Sequence, residues 1–228
     1  MNKRQEQLLA LVIEKYVETA EPIGSKFLVD EGDLEWGEAT VRNELRALEK
    51  AGYLTHPHTS AGRIPTEKGY RYYIAHLALD KAKLKNSNRT SLERAFNEVK
   101  DYEMACKNVA KLAAELSGES IIFSFGINKV YHTGLSNLIG KPEFGGEEAI
   151  NILKMFDQCE EYLNEFVDEI SDVPRFFIGS EQPFGESVSL TASLAGRDND
   201  AMFIVLSPNR TDYRRNFALL KTIREILS

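Results

Sequence analysis

The sequence predicts an α+β protein: an N-terminal winged helix-turn-helix, a long linking helix, and a C-terminal region that mixes strands with helices. The first observation behind this prediction is HPHTSAGRIPT (His56–Thr66), which lies between the helical patterns of Ala39–Leu54 and Glu67–Ile74. A helix, a short hairpin and another helix, in that order, are typical of a winged helix-turn-helix, which lays one helix in the DNA major groove. The second observation is a series of short apolar runs after Ser117, separated by turn residues as strands are.

The third observation is the uneven distribution of charge. Between Arg42 and Arg89 the chain has ten basic and four acidic residues, a net charge of +6. From Ser91 onward, 14 basic and 22 acidic residues give a net charge of −8. The overall charge of −7 argues against nucleic-acid binding. The local pattern instead favours a DNA-binding domain joined to an acidic regulatory domain.

The composition is that of an ordinary globular protein, with 43% hydrophobic and 28% charged residues among 228. The N-terminus lacks the unbroken apolar run of a signal peptide, and no segment reaches the roughly 18 apolar residues of a membrane span. Cys106 and Cys159 lie far apart and have no partner spacing. We therefore expect a cytoplasmic protein with reduced, buried thiols, no membrane contact, no metal and no cofactor.

Three helices are predicted before the hairpin. Lys3–Thr19 has apolar residues on one face, and AEPIGS interrupts it. Ser25 is the expected N-cap of a second helix, whose core contacts would be Phe27 and Leu28. The third helix runs from about Gly37 to Ala51 and ends at Gly52.

On the third helix Val41, Leu45 and Leu48 fall at i, i+4 and i+7, which predicts one buried stripe. Arginine can bind guanine through two hydrogen bonds, and asparagine can bind adenine in the same way. A solvated polar face is the alternative, and the hairpin that follows favours DNA. The face opposite the stripe carries Ala39, Asn43, Arg46 and Lys50, with Thr40 and Arg42 on its flanks.

In the hairpin, Tyr53–His56 and Ile64–Thr66 are the predicted strands. Gly62 would supply a permissive backbone at the tip. Thr59 and Ser60 offer hydroxyl groups to phosphate, and Arg63 can reach phosphate or a narrow minor groove. His56 and His58 are two residues apart, but no cysteine or carboxylate cluster accompanies them, so a metal pair is disfavoured. Thr66 would cap the next helix, whose tyrosines (Tyr70, Tyr72 and Tyr73) we expect in the core.

We divide the chain into a DNA-binding domain (1–80), a linker (81–90) and a regulatory and dimerisation domain (91–228). The linker sequence KAKLKNSNR is basic and shows no apolar periodicity. A long helix is predicted from Ser91 to about Ser117. Its apolar residues recur every three or four positions from Leu92 to Leu116, so this seam can pair with a second chain or lie on a sheet. Both alternatives stay open at this point.

The remainder alternates between strands and helices. The predicted helices are Ile150–Ile170, with Leu153, Phe156, Leu163, Phe166 and Val167 facing inward, and Tyr213–Leu227, capped by Asp212. The predicted strands are Ser120–Phe125, Arg175–Gly179, Ser187–Ala195 and Ala201–Ser207.

The stretch Ala39–Ile74 resembles, nearly throughout, the DNA-binding domain of the bacterial heat-inducible transcription repressor HrcA. Downstream, GLSNLIGKPEF (Gly134–Phe144), FFIGSE (Phe176–Glu181) and LSPNRTDYRRNFALL (Leu206–Leu220) resemble the GAF-like C-terminal domain of that family. The resemblance implies a homodimeric repressor of chaperone operons. Such a repressor binds double-stranded DNA at an inverted-repeat operator named CIRCE, and the GroEL chaperonin keeps it competent to bind.

Carried over position by position, the resemblance assigns base readout to Thr40, Arg42, Asn43 and Arg46. It assigns the wing to His58, Thr59, Ser60 and Arg63. Ser25 and Lys26, at the start of the second helix, complete the predicted DNA-binding set.

The sequence departs from the family in two places. Members usually carry an inserted dimerising region before the GLSNL-like motif, where only about Ser124–Thr133 stands here. The Leu92–Leu116 seam is therefore a candidate substitute for the dimer interface. At the start of the third helix, which would read the bases, members of the family usually have small polar residues. This sequence has Trp36-Gly37-Glu38 there instead. Glu38 would repel phosphate there unless it caps the helix or accepts a hydrogen bond from cytosine.

Two other classes of function are alternatives to a repressor. One is a winged-helix regulator that is controlled by a small ligand in its C-terminal domain. The other is an enzyme that uses Cys106 or Cys159 with His132, or the adjacent Glu160 and Glu161. Cys106 lies on a helix seam and Cys159 on an acid-rich helix, and both are poor positions for a nucleophilic thiol. Glu160 and Glu161 are adjacent on a helix, where their side chains point apart, so they do not form a catalytic pair. We expect no enzymatic activity.

Overall fold

The computed structural model describes residues 1–32, 34–57, 62–125, 129–196 and 198–228. The chain divides into two units, Met1–Leu77 and Ala78–Ser228. Each unit buries its own apolar side chains. Within the described part of the chain, no helix combines the length and the apolar character that crossing a membrane requires.

The described residues of the first unit form four α-helices and a two-stranded hairpin. A capping box begins the first helix, since the Asn2 side chain accepts a hydrogen bond from the Gln5 backbone and Gln5 returns one. Leu8, Leu9 and Leu28 belong to the core of this unit. The elements are α1 (Lys3–Thr19), α2 (Ser25–Glu31), α3 (Glu38–Lys50), β1 (Leu54–Thr55), β2 (Ile64–Pro65) and α4 (Glu67–Ala75).

Most predictions for these elements are confirmed. Gly52 has φ +79°, a left-handed conformation that ends α3 where glycine is favoured. Thr66 caps α4, and its hydroxyl oxygen accepts a hydrogen bond from the Gly69 backbone at 3.1 Å. Two details are wrong. Ser25 is the first residue of α2 and follows the N-cap Gly24, and Phe27 is 36% exposed while Leu28 is fully buried.

The second unit contains six helices and five strands among its described residues, which confirms the α+β class. The loop residue Asp101 and the cap Asp212 each accept a hydrogen bond from a backbone N–H in the first turn of the helix that follows. The helices are α5 (Asn86–Asn97), α6 (Tyr102–Ser117), α7 (Leu135–Ile139), α8 (Glu147–Asp157), α9 (Cys159–Phe166) and α10 (Tyr213–Leu227). The strands are β3 (Ser120–Phe125), β4 (Lys129–Thr133), β5 (Arg175–Ile178), β6 (Val188–Ala195) and β7 (Ala201–Pro208).

The five strands form one antiparallel sheet in the order β4-β3-β7-β6-β5. Phe123 pairs with Phe203 on β7, and both side chains join a core that includes residues of α5, α6 and α10. The neighbouring Ile122 and Ile204 point to the other face, where α7, α8 and α9 contribute to the core. Because both faces are covered, the neighbouring strands β3 and β7 are mainly apolar runs.

The predicted long helix Ser91–Ser117 is wrong, because the chain leaves the helix after α5 and starts α6 at Tyr102. The seam side chains Leu92, Cys106 and Val109 are fully buried in the core on the sheet of their own unit. Of the two alternatives for the seam, the structure therefore shows the helices on the sheet. The seam is not free to form the substitute dimer interface.

Two further predictions need correction. The single helix predicted over Ile150–Ile170 consists of α8 and α9, followed by a 3₁₀ turn, Val167–Glu169. Leu153 is 43% exposed, whereas Phe156, Leu163 and Phe166 are buried as predicted. Strand β4 and helix α7 were not predicted, because their apolar residues are few and largely half-buried.

The segment 81–90 is part of the second unit rather than a free linker. A 3₁₀ turn at Leu79–Lys81 precedes it, and α5 already begins at Asn86. Ala82 is buried beside Phe217 and Ala218 of α10. The prediction that this stretch lacks apolar periodicity is wrong, because residues 81–85 alternate between exposed and packed side chains.

Candidate nucleic-acid interface

Helix α3 presents a polar surface opposite its buried stripe. Val41, Leu45 and Leu48 are buried as predicted, which leaves Asn43 and Arg46 exposed on the other side. Neither of these two side chains bonds to another described residue, so both are available to a ligand. The exposed Arg42 and the half-buried Thr40 flank them.

The first turn of α3 carries a small polar network around Glu38. One carboxylate oxygen of Glu38 accepts a hydrogen bond from the Ser25 hydroxyl at 3.2 Å and forms an ion pair with Arg42 at 2.5 Å. Glu38 lies at the helix N-terminus, where the helix dipole favours a negative charge. Ser25 is 9% exposed. The structure therefore places Ser25 as a support for α3, and Arg42 must exchange Glu38 for any DNA contact. Lys26 is exposed and has no ion pair with a described residue.

The other flank of α3 is held by the start of α1. The Arg4 guanidinium lies 5.0 Å from the centre of the Trp36 ring and 3.5 Å from a carboxylate oxygen of Glu44. The second Glu44 oxygen accepts a hydrogen bond from the Gln5 side chain at 3.0 Å. Sequence reasoning missed Arg4. Its signal is a basic residue in the first turn of a helix, where the helix dipole disfavours a positive charge.

The hairpin is bound to the turn before α2. Leu54 pairs with Pro65, and Thr55 pairs with Ile64. Beyond these strands, the backbone of Arg63 exchanges two hydrogen bonds with Ile23, at 2.8 and 2.9 Å. The hairpin thus gains a third backbone segment.

Gly62 is required for this close approach. A Cβ atom at this position would lie 2.4 Å from the Pro22 carbonyl oxygen and 2.6 Å from the carbonyl carbon of Ile23. The predicted reason for this glycine, a permissive backbone at the tip, stays a prediction, because the neighbouring tip residues lie outside the described ranges. The structure gives a second reason, which is the lack of space for a side chain.

Arg63 is turned toward α3. Its Nε lies 3.3 Å from one oxygen of Glu49, and the His56 ring nitrogen Nδ1 lies 2.8 Å from the other oxygen. The Arg63 side chain is only 18% exposed. In this arrangement Glu49 holds both basic residues at the base of the hairpin, and Arg63 links the hairpin to α3.

The tip of the hairpin, 58–61, lies outside the described residues. The predicted wing contacts of His58, Thr59 and Ser60 therefore stay predictions, as does the expectation that His56 and His58 form no metal pair. Across the described ranges, no group of three or more His, Cys, Asp or Glu side chains is arranged to hold a metal ion.

Both cysteines are buried and free of disulfides, as predicted. Burial raises the pKa of Cys106 to about 12 and that of Cys159 also to about 12. Cys159, His132 and Glu160 line one cavity of about 240 Å³, so the structure brings together residues that were named as enzyme candidates. A thiol with so high a pKa is protonated at neutral pH and is a weak nucleophile.

The family model described as "HrcA protein C terminal domain" matches residues 76–216 of this chain. The chain is 40% identical over 119 residues to the heat-inducible transcription repressor HrcA of Thermomicrobium roseum, which covers 52% of this chain and 34% of that protein. It is 42% identical over 100 residues to the repressor of the same name from Roseiflexus castenholzii, which covers 44% of this chain and 28% of that protein.

Among solved structures, a crystal structure described as that of a hypothetical protein shares the fold of this chain. Its TM-score is 0.81 at 18% sequence identity, and the match covers 100% of this chain and 98% of that one. The sequence matches span about a third of the curated relatives' own length. The family model nevertheless covers well over half of the 228 residues, and the chain therefore belongs to the HrcA family.

Proposed function

We propose that this protein is a sequence-specific DNA-binding repressor of heat-shock operons, which encode chaperones. In this proposal Met1–Leu77 is a winged helix-turn-helix, and the second unit is a GAF-like regulatory and dimerisation domain. The observation that carries the proposal is the surface of α3, where Asn43 and Arg46 are exposed and unpaired above a buried stripe. The names of the relatives, heat-inducible transcription repressors, agree with it.

The mechanism follows from the chemistry of that surface. Arg46 is suited to guanine and Asn43 to adenine in the major groove. Lys26, and Arg42 once it leaves Glu38, supply positive charge for phosphates, and the hairpin lies against the backbone. A protein bound in this way represses by occupying promoter DNA that the polymerase needs.

Dimerisation is part of the proposed mechanism. One module of this size has few phosphate contacts, whereas two linked modules on an inverted-repeat, CIRCE-type operator gain affinity by effective concentration. The interface of the homodimer must lie outside the Leu92–Leu116 seam, because those side chains are committed to the core. We further propose the GroEL chaperonin as the partner that keeps the repressor competent.

The test is a binding titration on an inverted-repeat duplex and on a scrambled duplex of the same length, at two salt concentrations. We expect a clear preference for the inverted repeat, with two chains bound per duplex. Equal affinity for both duplexes under both conditions would overturn sequence-specific recognition. Addition of the chaperonin should raise the fraction of active repressor. An unchanged fraction would exclude the chaperonin as a partner.

A second candidate function is a winged-helix regulator controlled by a small ligand. The observation that favours it is a cavity of about 450 Å³ in the second unit, lined by Phe96, Tyr102, Asp198, Asp200 and Ile226 among others. This volume is within the range of ligand pockets. A thermal-shift screen of metabolites tests this alternative. Stabilisation by a metabolite, without any effect of the chaperonin on DNA binding, would favour it over the first proposal.

A further inference from the structure

A positively charged groove lies on the second unit, between the segment 81–85 and the start of α10. Its volume is about 500 Å³. Asp212 is the one carboxylate among the described residues that line it. The basic residues that line it are Lys81, Lys83, Lys85, Arg214 and Arg215.

The segment is held in place by alternate residues. Ala82 is buried beside Phe217 and Ala218 of α10, and Leu84 packs on the core next to the sheet. The backbone is extended at Ala82, with φ −68° and ψ 120°, directly after the 3₁₀ turn that ends at Lys81. Lys81, Lys83 and Lys85 are exposed, while Ala82 and Leu84 between them are packed.

Of the five basic residues of the groove, Arg215 lies 3.8 Å from the carboxylate of Glu119, whereas the other four are not neutralised within the unit. Lys81, Lys83, Lys85 and Arg214 form no ion pair or side-chain hydrogen bond with any other described residue. Asp212 is occupied as the cap of α10, where it accepts a hydrogen bond from the Arg215 backbone at 3.0 Å. From Ser91 onward the chain carries a net charge of −8, so this groove is a positive site on an acidic unit. Such a site attracts an anionic partner.

The spacing of the lysines favours a linear polyanion over a single small anion. Lys81, Lys83 and Lys85 follow one another along the chain, and the Cα atoms of residues two apart can be separated by up to about 7 Å, so these lysines are distributed along the groove. A single phosphate group is instead held by donors that converge on one point.

We propose that this groove binds successive phosphates of the backbone of duplex DNA, without regard to base sequence. The inference rests on the proposed function, since it takes DNA as the ligand of the protein. It adds a second electrostatic contact to the α3 surface and places that contact in the second unit. Lys81, Lys83 and Lys85 would bind phosphates directly, and Arg214 would close the groove from α10.

The test measures the salt dependence of binding to a long scrambled duplex by the full chain. The variant carries Lys81→Gln, Lys83→Gln and Lys85→Gln together. Each neutralised phosphate contributes about 0.9 to the slope of log K against log salt, so we expect the slope to fall by about 2 to 3. The control carries Lys100→Gln, Lys111→Gln and Lys154→Gln, which removes three exposed charges elsewhere on the unit and should leave the slope unchanged. A variant with arginine at the three groove positions should retain the wild-type slope.

An unchanged slope in the groove variant would overturn the proposal. So would an equal loss in the control, because it would show a general charge effect. Binding of tripolyphosphate that is lost in the groove variant, without any change in the DNA slope, would assign the groove to a small phosphorylated ligand and would also overturn it. The preference of the wild-type chain for the inverted repeat is a separate readout. Its absence would refute the proposed repressor, while the slope on scrambled DNA would still decide about the groove.

Discussion

The carboxylate of Glu119 lies 2.8 Å from the ammonium group of Lys141, and Glu119 is only 1% exposed. The Thr211 hydroxyl donates a hydrogen bond to the other carboxylate oxygen at 3.1 Å. Lys141 lies in GLSNLIGKPEF and Thr211 in LSPNRTDYRRNFALL, so two distant motifs meet at this one residue. Burial raises the pKa of Glu119, and the nearby charge of Lys141 opposes that shift.

Lys141→Met should destabilise the second unit in a pH-dependent way. The variant leaves ionised Glu119 buried with only the more distant Arg215, at 3.8 Å, as counter-charge, which costs up to about 3 to 5 kcal/mol at neutral pH. Protonation of Glu119 removes this cost. Because its folded-state pKa is raised, the loss should be small at acidic pH and should grow as the pH rises through that pKa. Urea unfolding of the variant and of the wild-type chain, at acidic and at neutral pH, measures this loss of stability.

Lys154→Met is the control for this change, because Lys154 is an exposed lysine of α8 without an ion pair to a described residue. It should leave the free energy of unfolding nearly unchanged at both pH values. A loss in Lys141→Met that is the same at acidic and neutral pH would contradict the role of the Glu119 charge.

Arg46→Ala should weaken binding to the inverted repeat by about 1 to 3 kcal/mol and should weaken binding to scrambled DNA by less. The reason is that a guanidinium group that reads a base edge contributes mainly on the correct sequence. Titration of both duplexes provides the measurement. Arg94→Ala removes an exposed arginine from α5 and should affect neither duplex. Equal losses on the two duplexes would show that Arg46 contacts only phosphate.

Glu38→Gln should strengthen binding to DNA of any sequence. The substitution removes a negative charge from the first turn of α3 and releases Arg42, while the glutamine oxygen can still accept the hydrogen bond from Ser25. One more phosphate contact should steepen the salt slope by about 0.9.

The matched control is Glu67→Gln, which releases Arg71 from an ion pair of the same i,i+4 spacing, at 2.6 Å, on α4. It should leave DNA affinity unchanged. Weaker binding by Glu38→Gln would instead indicate that Glu38 itself accepts a hydrogen bond from a base.

Gly62→Ala should destabilise the first unit by about 1 to 3 kcal/mol, because the added methyl group forces apart the backbones of the hairpin and of Pro22-Ile23. Gly24→Ala is the control, since a Cβ atom there has no neighbour within 4 Å. Chemical denaturation of both variants measures the difference. Equal stability of the two variants would show that the close approach at Gly62 is not required.

The two cysteines should resist thiol reagents in the folded protein. Their raised pKa values, about 12 in both cases, keep the thiols protonated, and burial denies access to the reagent. Labelling should therefore be slow in buffer and complete in denaturant, as followed by mass spectrometry. Rapid modification of Cys159 in the native protein would contradict this prediction. It would again make Cys159 a candidate nucleophile in the cavity that it lines together with His132.

Elements with strong local signals were predicted well. Helix α10 has a capping aspartate and an apolar period, and its bounds match those predicted from the sequence. Strand β3 is a short apolar run and also matches. The buried stripe of α3 follows from spacing alone, because helical geometry places i, i+4 and i+7 on one side.

The failures have a common cause. The seam from Leu92 to Leu116 has the same spacing whether it faces a second chain or a sheet, so the pattern cannot identify its partner. Leu153 lies on an apolar face by periodicity, yet it is exposed in the folded unit. Lys81, Lys83 and Lys85 alternate with small or apolar residues, but the packing of Ala82 on α10 becomes visible only in three dimensions.

Local chemistry along the chain was enough to predict the kinds of elements, the polar surface of α3 and the basic and acidic halves, whereas the family followed from the resemblance of its motifs. These properties depend on residues a few positions apart, which the geometry of a helix or a strand brings together without tertiary contacts. The pairing of Glu38 with Ser25, of Glu49 with Arg63 and of Glu119 with Lys141 required the folded chain. Each of these pairs joins residues from separate segments of the chain. Their meeting depends on how those elements pack, which local patterns do not encode.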